Sequence, residues 1–395
     1  MISAPIATPE TLRRSLAELA LIFLRLGATA FGGPAAHIAM MRQEFVERRG
    51  WLTEEEFLDL VGASNLIPGP SSTEVAIHVG MQRAGGWGLI LAGICFILPA
   101  SLIVTAFAWA YVRFGHLPQA QSILYGVKPV IISIVAQALW MLGSVALKSR
   151  SLLIGATLAT VLAFCGVPPV LLLFGTGGLF GIRGWVRHEP GRPLQPLLAI
   201  VAAIAVLLSL PLLAAFFQPH VSHTASLMPL FLVFVKIGSV IYGSGYVLLA
   251  FCKADLVTRL HWLTMPQLLD SVAVGQFTPG PVFTTATFIG YLIAGPGGAL
   301  TATLGIFLPA FLFVALSGTL LPQIRRSPTI RAFLDGVNAA SVALMALVTW
   351  QLACAALVDE VTFALAIVSA AILWRWRLNS VWLIAAGAAV GLLVK

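Results

Sequence analysis

The stretch from residue 20 to residue 140 occurs twice in this chain. Arg25 to Pro70 overlays Lys236 to Pro281 without a gap, and after a one-residue slip Gly80 to Trp140 overlays Gly290 to Trp350. Both copies carry Trp-Leu-Thr (51–53 and 262–264), an aspartate (Asp59 and Asp270), Pro-Gly-Pro (68–70 and 279–281) and Leu-Pro-Ala (98–100 and 308–310). A duplicated apolar unit interrupted by proline and glycine restricts the fold sharply. Two helix breaks related by the duplication can face each other near the middle of a bilayer and hold one solute between them.

The composition agrees with a bilayer. Only 10% of the 395 residues are charged and 59% are apolar, with a mean hydropathy of +0.97. A water-soluble domain needs about 25% charge to cover its surface, so the chain reads as an all-α polytopic membrane protein. The net charge of +8 comes from Lys and Arg scattered singly through short loops. That pattern orients membrane helices and is not a nucleic-acid surface, which would need a basic stripe with interleaved aromatics. Met1 to Glu10 is polar and lacks a signal-peptide pattern. Cys95, Cys165, Cys252 and Cys354 stand alone in apolar runs, without metal or redox spacing, and no cofactor is expected.

Apolar runs fall near 16–40, 55–80, 87–112, 122–147, 151–165 and 168–182, then 195–217, then 228–252, 266–292, 297–321, 332–357, 361–374 and 380–394. The run at 195–217 has no counterpart in the repeat, so it is expected to carry the chain across once more and set the second copy antiparallel to the first. The organisation expected is an N-terminal segment (1–15), a first membrane repeat of about six helices (16–187), a linker with the extra helix (188–227) and a second repeat (228–395). If every run crosses, fifteen of the twenty counted Lys and Arg fall on one side and five on the other. If the Pro-Gly-Pro segments instead return to the side they left, the division is twelve to eight. The positive-inside rule favours thirteen crossings, with the N-terminus cytoplasmic and the C-terminus outside. The pairs at 151–182 and 361–394 have helices of only roughly 22 Å, so they cross or form thin hairpins, and parity is the same either way.

Thr53 with Glu56, and Thr264 with Gln267, fit the capping-box pattern, so each repeat starts a helix at the same place. That helix reaches Pro68 or Pro279 after roughly 20 Å, which puts the break inside the bilayer. Proline removes a backbone donor, Gly69 and Gly280 let a ligand approach the backbone, and the segment starting at Ser71 and Ser72 begins with unpaired N–H groups that favour an anion. Asn65 and Gln276, three residues before each break, can donate to an oxyanion.

Arg25 and Lys236 occupy matching positions inside the first helix of each half. A buried cation there implies a partner, and the reading preferred is a shared anion rather than snorkelling. Lys128, whose counterpart is Asn338, is a third candidate. Asp59, Asp270, Glu74 and Asp335 either pair with these cations or carry a coupling proton, and Glu74 is singled out because its repeat counterpart is a threonine. His78 reads as a packing or interfacial residue.

At these residues the chain resembles the chromate ion transporter family. The elements that match are Phe23-Leu24-Arg25-Leu26-Gly27, Phe31-Gly32-Gly33-Pro34, Trp51 to Thr53, Asn65 to Pro70 and Leu98 to Ala100, in an order that recurs from Lys236 to Ala310. The resemblance covers nearly the whole chain, is to the long two-domain form, and implies an inner-membrane carrier that exports chromate from the bacterial cytoplasm using the proton gradient. The second copy departs from it with Tyr242-Gly243-Ser244-Gly245 and Gln276-Phe277-Thr278. A sulfate carrier is the nearest alternative, because both anions are tetrahedral. An anion channel is a further one, and a homodimer is compatible with the sequence. A membrane-embedded reductase would need a Rossmann glycine pattern, paired His or clustered Cys, which the sequence lacks.

Overall fold

A computed structural model describes residues 9–188, 226–242, 245–376 and 380–395, and within them every side chain except those at 9–14, 188 and 318–326. The expected linker helix at 195–217, residues 1–8 of the N-terminal segment, and Gly243 and Ser244 lie outside the described residues. Fourteen α-helices and no strand occur among those described. The first repeat comprises α1 (Pro9–Thr29), α2 (Gly33–Arg42, continued by a π turn Gln43–Arg48), α3 (Glu54–Ser64), α4 (Ser71–Phe114), α5 (Pro118–Ala146), α6 (Arg150–Phe164) and α7 (Pro169–His188). The second comprises α8 (Leu227–Val240), α9 (Leu248–Cys252, continued by a π turn Lys253–Arg259), α10 (Met265–Phe277), α11 (Thr285–Arg326), α12 (Pro328–Ala356), α13 (Glu360–Trp376) and α14 (Ser380–Val394).

Three reversals in each repeat decide the architecture. The run expected to cross at 16–40 is a hairpin: Gly32 and Gly33 take φ of 103° and 77°, and α2 returns along α1 so that the Phe23 ring lies 5.4 Å from that of Phe45 and Arg25 meets Glu44. Both capping boxes form as expected and start α3 and α10. The chain then turns back at Pro-Gly-Pro. Arg83, at the end of the returning arm, lies 4.4 Å from the ring of Trp51, just before α3. Helices continuing across would hold these two residues roughly 35 Å apart.

The third reversal divides the 44-residue α4. Ala84 (φ −143°, ψ 26°) and Gly85 (φ 61°, ψ −145°) fold it so that Gly80 faces Gly88 and Ala92. α11 does the same at Ala294 (φ −143°, ψ 29°) and Gly295 (φ 61°, ψ −153°). Only glycine takes such a turn without a Cβ penalty. The expectation that Pro-Gly-Pro segments cross, and with it the thirteen crossings, is therefore corrected, because that count allowed one crossing per apolar run. Five described helices are long and apolar enough to cross a membrane: α4, α5, α7, α11 and α12. In α4 and α11 the spanning part is the second arm, which in α4 runs from residue 86 to 114 and is roughly 43 Å long.

The two repeats exchange their last helices. α5 packs against α13 and α14 of the other repeat, and α12 packs against α6 and α7. Contact is close because small residues meet: Gly126 lies against Gly387 and Gly391, and its counterpart Gly336 lies against Gly177. The capped helices start from opposite ends of the molecule. Trp51 marks the end of α4's second arm near Arg83, while Asp270, in the second turn of α10, takes a 2.8 Å hydrogen bond from Tyr111 near its far end. Lys395 sits over the Tyr125 ring at 4.2 Å, near the start of α5, at this same far end. Large apolar side chains such as Trp87, Leu102 and Trp109 remain exposed on the outer faces, as a lipid-facing surface requires.

Candidate functional site

The Pro-Gly-Pro breaks meet at the interface of the repeats. Gly69 N donates to Ile241 O at 2.8 Å and Gly280 N donates to Ala30 O at 2.8 Å. Ile241 and Ala30 are themselves counterparts, so the two bonds are reciprocal, as a two-fold relation demands. Gly69 also packs against Ala310, and Gly280 against Ala100, so each break rests on the other repeat's Leu-Pro-Ala. Gly69 and Gly280 were expected to let an anion approach the backbone, and here their amides join the two repeats. Ser72 is likewise engaged, with its hydroxyl 3.2 Å from His37 Nδ1, whereas half-buried Ser71 opens α4.

Arg25 and Lys236 do not share a cavity. Arg25 donates to Glu44 at 2.6 Å, and that buried carboxylate also takes Arg48 at 3.1 Å and Arg49 at 2.7 Å. In the second repeat Lys236 meets Asp255 at 2.8 Å, with Arg259 at 3.2 Å. Glu44 and Asp255 are buried while Arg25 is half-exposed and Lys236 partly so, and removing the cations would leave a buried carboxylate uncompensated, so each cluster pins α1 to α2 or α8 to the segment after α9. The acids were missed by sequence reasoning, yet the signal was present: Glu44 and Asp255 stand at matching repeat positions, each nineteen residues after its cation.

The remaining candidates divide between two regions. Lys128 Nζ lies 3.0 Å from Asp270, which Tyr111 also reaches, and Gln276 accepts from Tyr246 at 3.0 Å. Asp59, the counterpart of Asp270, is exposed. The second region is a cavity of about 310 Å³ between the repeats. It runs from Asn65, beside the first break, past Asn338, Ser341 and Asp335 on α12, to Lys148 after α5. The side chains of Asn65, Asn338, Asp335 and Lys148 make no hydrogen bond or ion pair among the described residues, while Ser341 donates to Tyr242 O at 3.3 Å. Sequence reasoning named Asn65 and Asp335 and missed Asn338, Ser341 and Lys148. Two amides and an ammonium offer donors in a space near the lower size of ligand pockets, and one carboxylate offers an acceptor. Among the described residues no three His, Cys, Asp or Glu side chains gather as metal ligands.

Glu74 lies beneath the first break. It is fully buried against Gly69, and neither carboxyl oxygen has a hydrogen-bond partner. An ionised carboxylate in such a place is costly, so this side chain is the one whose charge the surroundings least support.

Similarity to known proteins follows the same two-part plan. A family model described as Chromate transporter matches residues 17–182 and again 228–392. Over 378 residues the chain is 35% identical to the chromate transport protein of Cupriavidus metallidurans, covering 95% of this chain and 92% of that one. The chromate transport protein of Pseudomonas aeruginosa is 32% identical over 379 residues, covering 94% and 91%. The uncharacterized transporter YwrA of Bacillus subtilis is 30% identical over 169 residues, which is 94% of its length and 41% of this chain. No solved structure matches.

Proposed function

The chain belongs to the chromate transporter family, and on that premise we propose that it exports chromate from the bacterial cytoplasm through the inner membrane, binding it in the cavity lined by Asn65, Asn338 and Lys148. The observation that carries this reading is the convergence of polar side chains without protein partners on one cavity between two-fold-related repeats. Asn65 and Asn338 donate to the oxyanion, Lys148 supplies positive charge at the mouth, and Ser341 shapes the wall. Arg42, Arg48, Arg49, Arg83, Lys148 and Arg150 gather at one end of the first repeat and leave Arg113 at the other. By the positive-inside rule that end is cytoplasmic, the repeats are inverted in the bilayer, and the cavity faces inward.

A membrane potential negative inside favours outward movement of a dianion by about 2.3 kcal/mol per charge per 100 mV, so a coupling proton serves as a gate rather than as the driving force. Glu74 is the group we assign to it. The titratable groups near it are His37 through Ser72, His78 one turn on, and Tyr242 of the second repeat. Sulfate fits the same donors and is the alternative cargo.

Labelled chromate uptake into inverted membrane vesicles tests the reading. Saturable uptake that sulfate competes against is expected, and Glu74→Gln is expected to carry chromate at a rate that no longer varies with pH. Uptake no greater than in vesicles lacking the protein overturns chromate transport, and unchanged pH dependence in Glu74→Gln moves the proton to Asp59, Asp270 or Asp335.

A further inference from the structure

An ion pair joins the two repeats at the end of the molecule away from the cavity. Lys128 of α5 lies 3.0 Å from Asp270 of α10, and Tyr111 of α4 donates to the same carboxylate at 2.8 Å. Lys128 is about a fifth exposed and Asp270 is buried. Under the repeat relation the counterpart of Lys128 is Asn338, which carries no charge and lines the cavity, so α12 does not repeat the pair. Asn65, at the inner end of the cavity, has Gln276 as its counterpart. The cavity thus lies where the two-fold operation would carry the surroundings of Lys128.

The surroundings of Lys128 itself are closed. Ile131 and Val135, the counterparts of Ser341 and Met345, are fully buried, and Gln276 is held by Tyr246. In a carrier built from related repeats, the two halves exchange their open and closed arrangements as one moves against the other. Resting on the oxyanion-carrier reading, we propose that Lys128 and Gln276 form a second oxyanion site, closed here by the Lys128–Asp270–Tyr111 contact and open to the far side when that contact breaks. Lys128 then has two partners in turn. It pairs with Asp270 while the far side is closed, and with the tetrahedral oxyanion once it opens. This ammonium supplies in the second site the charge that Lys148 supplies at the mouth of the first. Asp270, released from Lys128, keeps Tyr111 as its hydrogen-bond donor, so it is not left without a partner.

The test is accessibility from the far side, which needs no transport. Gln276→Cys is placed in a background without the four native cysteines, and right-side-out vesicles are treated with a membrane-impermeant thiol reagent. Labelling is expected to be slow with the ion pair intact and at least about ten-fold faster with Asp270→Asn. Lys128→Gln with Asp270→Asn leaves no unpaired charge, so it keeps the test readable should Asp270→Asn fail to fold, and it should label equally fast. Added chromate or sulfate is expected to slow labelling when Asp270→Asn leaves Lys128 free, and to have no effect when Lys128→Gln is also present. Unchanged labelling in both variants overturns the closure, and equal protection in both overturns Lys128 as a ligand. Absent chromate uptake by the unmodified chain, with labelling faster as expected, counts against chromate as the cargo and leaves the closure standing.

Discussion

Gly280→Val is expected to remove transport almost completely. Gly280 has φ of 90°, where a β-branched residue is strained by about 1–3 kcal/mol. Its added Cβ would also meet Ala100 and lie 3.0 Å from the carbonyl oxygen of Gly27, a backbone atom that cannot swing aside. The strain falls on the hydrogen bond from Gly280 to Ala30, one of the reciprocal pair that holds the breaks together. Chromate uptake per folded molecule should fall by about ten-fold or more, since each 1.4 kcal/mol is a factor of ten. Gly69→Val, at φ of 141° and against Glu74, should act alike. Uptake near the unsubstituted rate in both variants would mean that the meeting of the breaks plays no part in transport.

The second large effect is on assembly rather than on turnover. Gly126→Leu introduces a side chain where α5 touches Gly387 and Gly391 of α14, with the Gly391 amide nitrogen only 2.8 Å from the added Cβ. Gly336→Leu does the same on α12, where Thr176 O is 2.8 Å away and Gly177 Cα 3.0 Å. Overpacking of this kind costs about 1–3 kcal/mol at each site, and these two contacts hold the exchanged helices in place. Thermal unfolding in detergent should show both variants destabilised to a similar degree. Gly178→Ala, with nothing within reach of its Cβ, is the control and should unfold like the unsubstituted chain.

What could be read from the sequence followed from the duplication. The capped starts of α3 and α10 and the helix breaks at matching positions rest on local chemistry that each copy states for itself. The hairpins were not legible, because an apolar run has the same composition whether it crosses or turns back. Glycine conformations, as at Gly32, Gly33, Gly85 and Gly295, separate the two outcomes. The helix exchange had a sequence sign that went unread. Gly177 and Gly181 on α7, and Gly387 and Gly391 on α14, give the same small-xxx-small spacing at matching repeat positions. The site was read in part. Arg25 and Lys236 stood out as cations inside apolar runs, but their acids lie just beyond those runs, on the part of the chain that folds back along the first helix. Lys148 passed as an orienting loop charge, since nothing local shows that α12 packs beside it.

The most direct measurement is the side from which the two third turns are reached. Gly86→Cys and Pro296→Cys stand at matching repeat positions, both exposed just after the reversals at Gly85 and Gly295. Each is placed alone in a chain without the four native cysteines and treated with an impermeant thiol reagent, in right-side-out and in inverted vesicles. If the repeats enter the bilayer from opposite faces, so that their breaks meet in the middle, Gly86→Cys is labelled only from the cytoplasmic face and Pro296→Cys only from the outer face. Labelling of both from one face would contradict the inverted pairing on which the carrier rests.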